Sequence, residues 1–438
     1  MPGSRKRLDL LLLGWCAVAV AIGAWLRVQN LGEPPGLGWD EHHFVRNAQN
    51  LLQGQRDLND HPPLGKLLIA QSIHWFGDHS LSWRLPALVS GLLNIALASL
   101  LAARLFRSWR AGALAAAFVA GDGFFVAYSR AALLDGWVAT FTLATACAIV
   151  RAKTAWQIAL AALLMGLGCA VKFNVVVMLA PIAAVALFGR APRWSVALLG
   201  LAPLAYFLVY RHGLVLGHQP HGVPDVMAAT RALFVHHAGL TEMKHALVSS
   251  WYAWLVPTKP VAMRFSQVDG VVRSMSSMGN PLLWWAVSLT VIASAGAALS
   301  TLWERGRAKL RARPTPLSTI GAVDPGELWA LCLWALPVLP WVVSRRDSYV
   351  YHYLPAYGFG VVLVAGKLAR LLDERRRAGW LGAGVITLCA WWVAPVSAEI
   401  PVTRLGYELR LWLPAWRRAS PKLPAPILAL SAVPPAAR

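Results

Sequence analysis

The chain has 438 residues, 57% of them hydrophobic and 14% charged, and a mean hydropathy of +0.51. Soluble domains average roughly 45–50% apolar and about 25% charged residues, so a water-soluble globule is excluded and an integral membrane protein is predicted. The formal net charge of +21 does not signal nucleic acid, because the basic residues gather in short clusters between apolar runs, as the positive-inside rule requires.

Apolar runs of roughly 17–25 residues cross a bilayer as helices. The sequence predicts about eleven, near 8–28, 81–103, 111–128, 131–150, 154–172, 174–189, 194–212, 280–302, 326–343, 350–370 and 379–397. The first follows Arg5-Lys6-Arg7 and is too long for a cleaved signal peptide, so it reads as a retained helix with a cytoplasmic N-terminus. Threading alternately from there puts Arg104/Arg107/Arg110, Arg151/Lys153, Arg190/Arg193, the run Arg305 to Arg313 and Lys367 to Arg377 on the cytoplasmic side. Two long segments, 29–80 and 213–279, then fall outside. Within the first, Phe44 to Leu52 and Leu64 to Phe76 are amphipathic and are expected as short interfacial helices. The second carries Trp251, Trp254 and several histidines; it is expected as a partly structured loop on the interface, too small for an added globular domain. The predicted organisation is an all-α transmembrane domain over 1–397 and an extracytoplasmic Pro/Ala-rich tail over 398–438. Leu405 to Trp416 is a candidate interfacial helix in that tail, and the remainder is expected to be disordered. Cys16, Cys147, Cys169, Cys332 and Cys389 lie in or beside apolar runs without CxxC spacing, and no disulfide or zinc framework is predicted.

Charges beside a bilayer cost stability and mark chemistry or transport. The densest such cluster is Trp39-Asp40-Glu41-His42-His43-Phe44 with Asp60-His61-Pro62-Pro63-Leu64-Gly65-Lys66. Asp40 and Glu41 point in different directions on a turning backbone, so one can face a substrate while the other bonds internally. A helix N-cap is the competing role for the pair. Lys66 falls near the start of a helix opened by Pro63, where the dipole disfavours a cation unless an anion is near; the alternative is a snorkelling surface lysine. Arg130, in Gly121-Asp122-Gly123 through Ser129-Arg130 to Asp135, offers a planar fork for phosphate oxygens; an internal ion pair with Asp122 or Asp135 competes, and Asp135 orienting Arg130 would satisfy both readings. Lys172, Arg345 and Arg346 break the positive-inside pattern at the outer rim and are candidate anion ligands, with His352 as a further donor. His42, His43 and His61 invite a metal, but no HExxH spacing exists. No cofactor is expected as a requirement, and a divalent ion is the lesser alternative.

The set WDEHHF, DHPPLGK, GDGFFVAYSRAALLD, GCAVKFN, GNPLLWW and YHYLPA, in that order over residues 38–357, resembles the protein O-mannosyltransferases, membrane glycosyltransferases of GT-C architecture. The resemblance implies a bundle of about eleven spans, a polyprenyl- or dolichyl-phosphate mannose donor and Ser/Thr hydroxyls of translocated proteins as acceptors. It implies Asp40 as the catalytic acid–base residue with Glu41 beside it, and Arg130 at the lipid phosphate. Eukaryotic members insert a β-trefoil-type domain after the seventh span, and 213–279 is too short for one, as in a bacterial-type member placed in the inner membrane. The family often works as dimers. A transferase acting on lipid or glycan acceptors, or a lipid-linked saccharide transporter, are the alternative readings; transporters place polar residues near the midplane, whereas here they crowd one membrane face.

Overall fold

The computed structural model describes residues 2–57, 60–241, 247–310 and 324–419. The tail expected to be disordered lies, from residue 420 onward, outside the described residues, as does the 311–313 end of the basic run. The chain is helical almost throughout: α1 (Pro2–Val28), α2 (Glu41–Leu52), α3 (Leu64–Phe76), α4 (Ser80–Phe106), α5 (Trp109–Gly121), α6 (Gly123–Tyr128), α7 (Asp135–Ile149), α8 (Ala155–Cys169), α9 (Leu179–Phe188), α10 (Leu201–Leu216) and α11 (Val223–Ala238). A hairpin of β1 (Ala262–Val268) and β2 (Val271–Ser276) follows. After it come α12 (Pro281–Leu310), α13 (Pro325–Val343), α14 (Leu354–Glu374), α15 (Arg376–Ser397), the short strand β3 (Val402–Thr403), α16 (Arg404–Glu408) and α17 (Pro414–Ala419).

Each predicted span overlaps helix, without the count of eleven crossings being reproduced. Among the described residues seven stretches are long and apolar enough to cross a membrane, from Arg7–Val28 to Arg376–Ser397, while Asp135–Ile149, Ala155–Cys169 and Phe173–Phe188 are apolar but shorter. The protein is an integral membrane protein. The stretch expected at 111–128 is broken, because Asp122 adopts an extended backbone between two glycines and caps α6 by accepting from the N–H groups of Phe124 and Phe125. The next helix begins at Asp135 rather than 131, since residues 129–134 form buried turns.

The bundle is built around α14, whose residues 354–366 are all buried and which packs against α4, α5, α7, α12, α13 and α15. Small residues permit this closeness. A Cβ at Gly360 would meet Val287 at 2.4 Å, and one at Gly366 would meet the Phe106 ring at 2.3 Å. Ion pairs gather at one end of the bundle: Arg110 with Asp9 and Asp373, and Lys367 with Glu327. The opposite end holds α2 and α3, packed on each other and on α4 and α10. There too is the three-stranded sheet, in order β1-β2-β3, which sequence patterning did not reveal. The candidate helix over Leu405 to Trp416 is two short pieces, split before Pro414. Tyr407, Leu411 and Trp416 pack with Val272, Val393 and Val396, so this part of the tail closes over the sheet.

The Asp122 carboxylate also accepts from the Asn280 N–H and the Tyr357 hydroxyl, both at 2.9 Å. Asp122→Ala strands these buried donors and is expected to cost on the order of 3 kcal/mol, read as a lower apparent Tm in detergent. Asp122→Asn keeps one acceptor oxygen and should lose less.

Candidate active site

Asp40 and Glu41 open α2, and the fold treats them oppositely. Glu41 is 1% exposed. Its Oε1 accepts from Arg84 Nε and the Ala132 N–H, each at 2.9 Å, and its Oε2 from the Gly38 N–H at 2.6 Å and Arg84 Nη2 at 3.2 Å. Burial alone would raise its pKa, but the Arg84 hydrogen bonds and charge outweigh it and hold the carboxyl below its ordinary value. Arg84 is itself fully buried and donates to the carbonyls of Leu31, Glu33, Pro34 and Gly36. One guanidinium thus collects the irregular loop leading into α2.

Asp40 sits at the N-cap position of α2, yet its side chain makes no capping bond. Its carboxylate has no hydrogen bond or ion pair among the described residues, so the capping role weighed from the sequence is not the one it plays. Burial raises its pKa, and of the surrounding charges Lys172, which lowers it, acts most strongly. Lys172 Nζ donates to Asp135 at 2.9 and 3.1 Å and lies 5.3 Å from the Tyr351 ring centre. Arg346 stands over Trp341, its buried Nε without a hydrogen-bond partner among the described residues. His61 stacks between Phe44 and His237, with ring centres 5.9 and 5.1 Å away. Burial first, then Lys172 and His237, push the His61 pKa well down; His237 falls to about 4, chiefly through burial. Both imidazoles are therefore neutral near pH 7.

Several sequence-predicted residues are placed differently from expectation. Arg130 is 1% exposed, and it donates to the carbonyls of Leu26, Arg27 and Gln29 and to Glu399 at 3.2 Å. Neither Asp122 nor Asp135 pairs with it, because the first caps α6 and the second holds Lys172. The anion that Lys66 requires is supplied by its own loop: its ammonium meets Asp57, Asp60 at 3.4 Å and the His61 carbonyl at 2.6 Å. His352 is buried against Trp341, and its Nδ1 accepts the Tyr349 N–H. Arg345 is exposed, apart from Arg346. His42 Nδ1 bonds the Trp39 carbonyl and stacks on His43 at 3.9 Å. Among the described residues no three His, Cys, Asp or Glu side chains come together as a metal site.

Sequence reasoning passed over Arg84, Glu399, Arg264 and His237. Arg84 and Glu399 were visible as charges at the ends of apolar runs, the usual sign of a buried pair. Arg264 and His237 lie in a segment whose fold no periodicity announced.

A carboxylate without a hydrogen bond or ion pair among the described residues, with Lys172 the strongest charge acting on it, stands at one rim of a polytopic helical bundle, as the resemblance to GT-C membrane glycosyltransferases implies. The fold agrees: the protein O-mannosyltransferase complex of S. cerevisiae bound to the sugar donor superposes with a TM-score of 0.78 at 13% identity, covering 93% of this chain and 92% of that one. ArnT from Cupriavidus metallidurans bound to undecaprenyl phosphate gives 0.56 at 14% identity, over 88% and 64%. Two family models match the sequence, "Dolichyl-phosphate-mannose-protein mannosyltransferase" over residues 60–212 and "C-terminal four TMM region of protein-O-mannosyltransferase" over 223–416. The polyprenol-phosphate-mannose–protein mannosyltransferase of Mycolicibacterium smegmatis is 26% identical across 92% of this chain and 93% of its own length. That of Mycobacterium tuberculosis is 26% identical across 93% and 92%. The chain belongs to the protein O-mannosyltransferase family.

Arg84→Met leaves the buried Glu41 charge alone and should destabilise the protein by about 3–5 kcal/mol, whereas combining it with Glu41→Leu should recover part of that loss. Thermal unfolding in detergent reads both variants; equal losses in the single and double changes would refute the coupling.

Proposed function

We propose that this protein transfers mannose from a polyprenyl-phosphate mannose donor to Ser/Thr hydroxyls of translocated proteins, with inversion at the sugar carbon and Asp40 as the base. The observation that carries the reading is the Asp40 carboxylate, without a hydrogen bond or ion pair among the described residues and under the charges of the paired Lys172 and Asp135. Membership of the family and the names of its mycobacterial relatives support the donor and acceptor classes.

In the proposed step the acceptor oxygen bonds to the anomeric carbon as the bond from that carbon to the phosphate oxygen breaks. The hydroxyl proton passes to Asp40 and polyprenyl phosphate departs. Lys172 and Arg346, whose Nε lacks a partner, carry the role of neutralising charge on the leaving phosphate. Arg130, which donates to three carbonyls and Glu399 while its Nε is unpartnered among the described residues, takes a positioning role with Lys66 and Glu41: they shape the loop that holds Asp40. His61, neutral, stacks between Phe44 and His237 near Lys172, and His352 packs on Trp341. The clustering of basic ion pairs at the far end of the bundle supports a cytoplasmic N-terminus and an extracytoplasmic site in a bacterial inner membrane.

Asp40→Asn is expected to abolish transfer while leaving donor binding near that of the unmutated enzyme; mass spectrometry of mannosylated peptide and equilibrium donor binding separate the two, and parallel loss of both would refute the base role. Lys172→Met should weaken donor binding and slow transfer by about 10²-fold or more. Because Asp40 must be ionised to accept a proton and burial raises its pKa, kcat should rise with pH through a midpoint above the ordinary carboxylate value of about 3.9. A rate that is flat through this range would contradict the assignment.

A further inference from the structure

A cavity of about 480 Å³ is walled by the loop 33–38, by four consecutive residues of β1, 263–266, and by Arg273 of β2, with Arg130 and Glu399 also lining it. Gly38 belongs to it and is two residues from Asp40. Arg264 ties the two walls together, donating to the carbonyls of Glu33 and Arg130 and lying 3.4 Å from Glu399.

The strand along this cavity is an edge. Among the described residues β1 pairs only with β2. The hairpin turns at Asp269-Gly270, both at positive φ (48° and 76°), the conformation that two-residue hairpin turns require. The register therefore makes Val268↔Val271 the closing pair. Antiparallel alternation then points the N–H and C=O groups of Val268, Ser266 and Arg264 at β2, and those of Phe265 and Gln267 outward. These outward groups make no backbone hydrogen bond among the described residues. An open edge is a template for an extended chain, and proteins manage it by covering or using it.

We propose that the acceptor polypeptide binds here in extended form, as a fourth strand on the open edge of β1, which delivers its Ser or Thr across Gly38 to Asp40 from the side opposite Lys172. This rests on the mannosyl-transfer reading above. Main-chain recognition of this kind is indifferent to most side chains, and it lets one site accept many sequences provided they are unfolded.

The test uses the full-length enzyme in detergent, polyprenyl-phosphate mannose and a Ser/Thr peptide carrying single backbone N-methyl groups at successive positions. Strand pairing predicts a period of two: methylation at alternate residues raises KM by about fivefold to tenfold, while the residues between tolerate it. Gln267→Pro removes an outward N–H without touching the β1–β2 ladder, a change edge strands accept, and Gln267→Ala controls for the lost side-chain acceptor of Arg404. Gln267→Pro should raise peptide KM to a similar degree and leave donor binding unchanged. If peptides are mannosylated but the N-methyl series shows no alternation and Gln267→Pro behaves as the unmutated enzyme, the cleft assignment falls and the function stands. If Gln267→Pro converts a dimer to a monomer with unchanged peptide KM, the edge belongs to a second copy and the proposal is overturned. If the unmutated enzyme labels no peptide at all, the mannosyl-transfer reading falls first.

Discussion

The rim of this protein depends on one buried ion pair, Glu41 with Arg84. Removing two charges from water costs several kcal/mol per ion, recovered only when every lone pair and proton finds a partner. Here the carboxylate takes four hydrogen bonds, and the guanidinium serves the carbonyls of residues 31, 33, 34 and 36 as well. A loop without regular structure has backbone carbonyls that need donors, and a single arginine from α4 meets that need. The consequence falls on the neighbouring residue. Because Glu41 is anchored inward at the first position of α2, Asp40 is fixed at its edge with nothing left to hold.

The same logic sorts the remaining charges. Lys66 is held by Asp57 and Asp60, Arg130 by Glu399 and three carbonyls, and Lys172 by Asp135. Committed cations shape loops. Lys172 and Arg346 stand with Asp40 around Tyr351: Lys172 lies 5.3 Å from its ring centre, and Asp40 and Arg346 both act on it electrostatically.

Much of the fold was legible because bilayer crossing imposes a length and an apolarity that composition reveals directly; α2 and α3 were equally plain, announced by Pro63 and by amphipathic spacing. The loop carrying Asp40 and Glu41 was legible as a concentration of charge where charge is costly. Pairing was not. Arg130 and Asp135 lie five residues apart, yet a helix start intervenes and their partners are Glu399 and Lys172, 269 and 37 positions away. The hairpin escaped notice because Met263 to Met275 alternates weakly, its burial being decided by the tail that closes over it. Periodicity reports which face of an element is buried; it says nothing about which distant charge will meet it.

The balance at Asp40 shows why Lys172 carries a partner of its own. A base that takes a proton from an alcohol gains from a pKa above the ordinary carboxylate value, and burial raises it here. A leaving phosphate needs a cation close by, and an unpaired cation would pull that pKa back down. Asp135 opposes the pull: it raises the Asp40 pKa while Lys172 lowers it. In the proposed reaction the pair is thus a dipole near the base, its ammonium serving the phosphate and its carboxylate opposing the pull on Asp40. On the proposed assignment, removing Asp135 would strengthen the cation and weaken the base together.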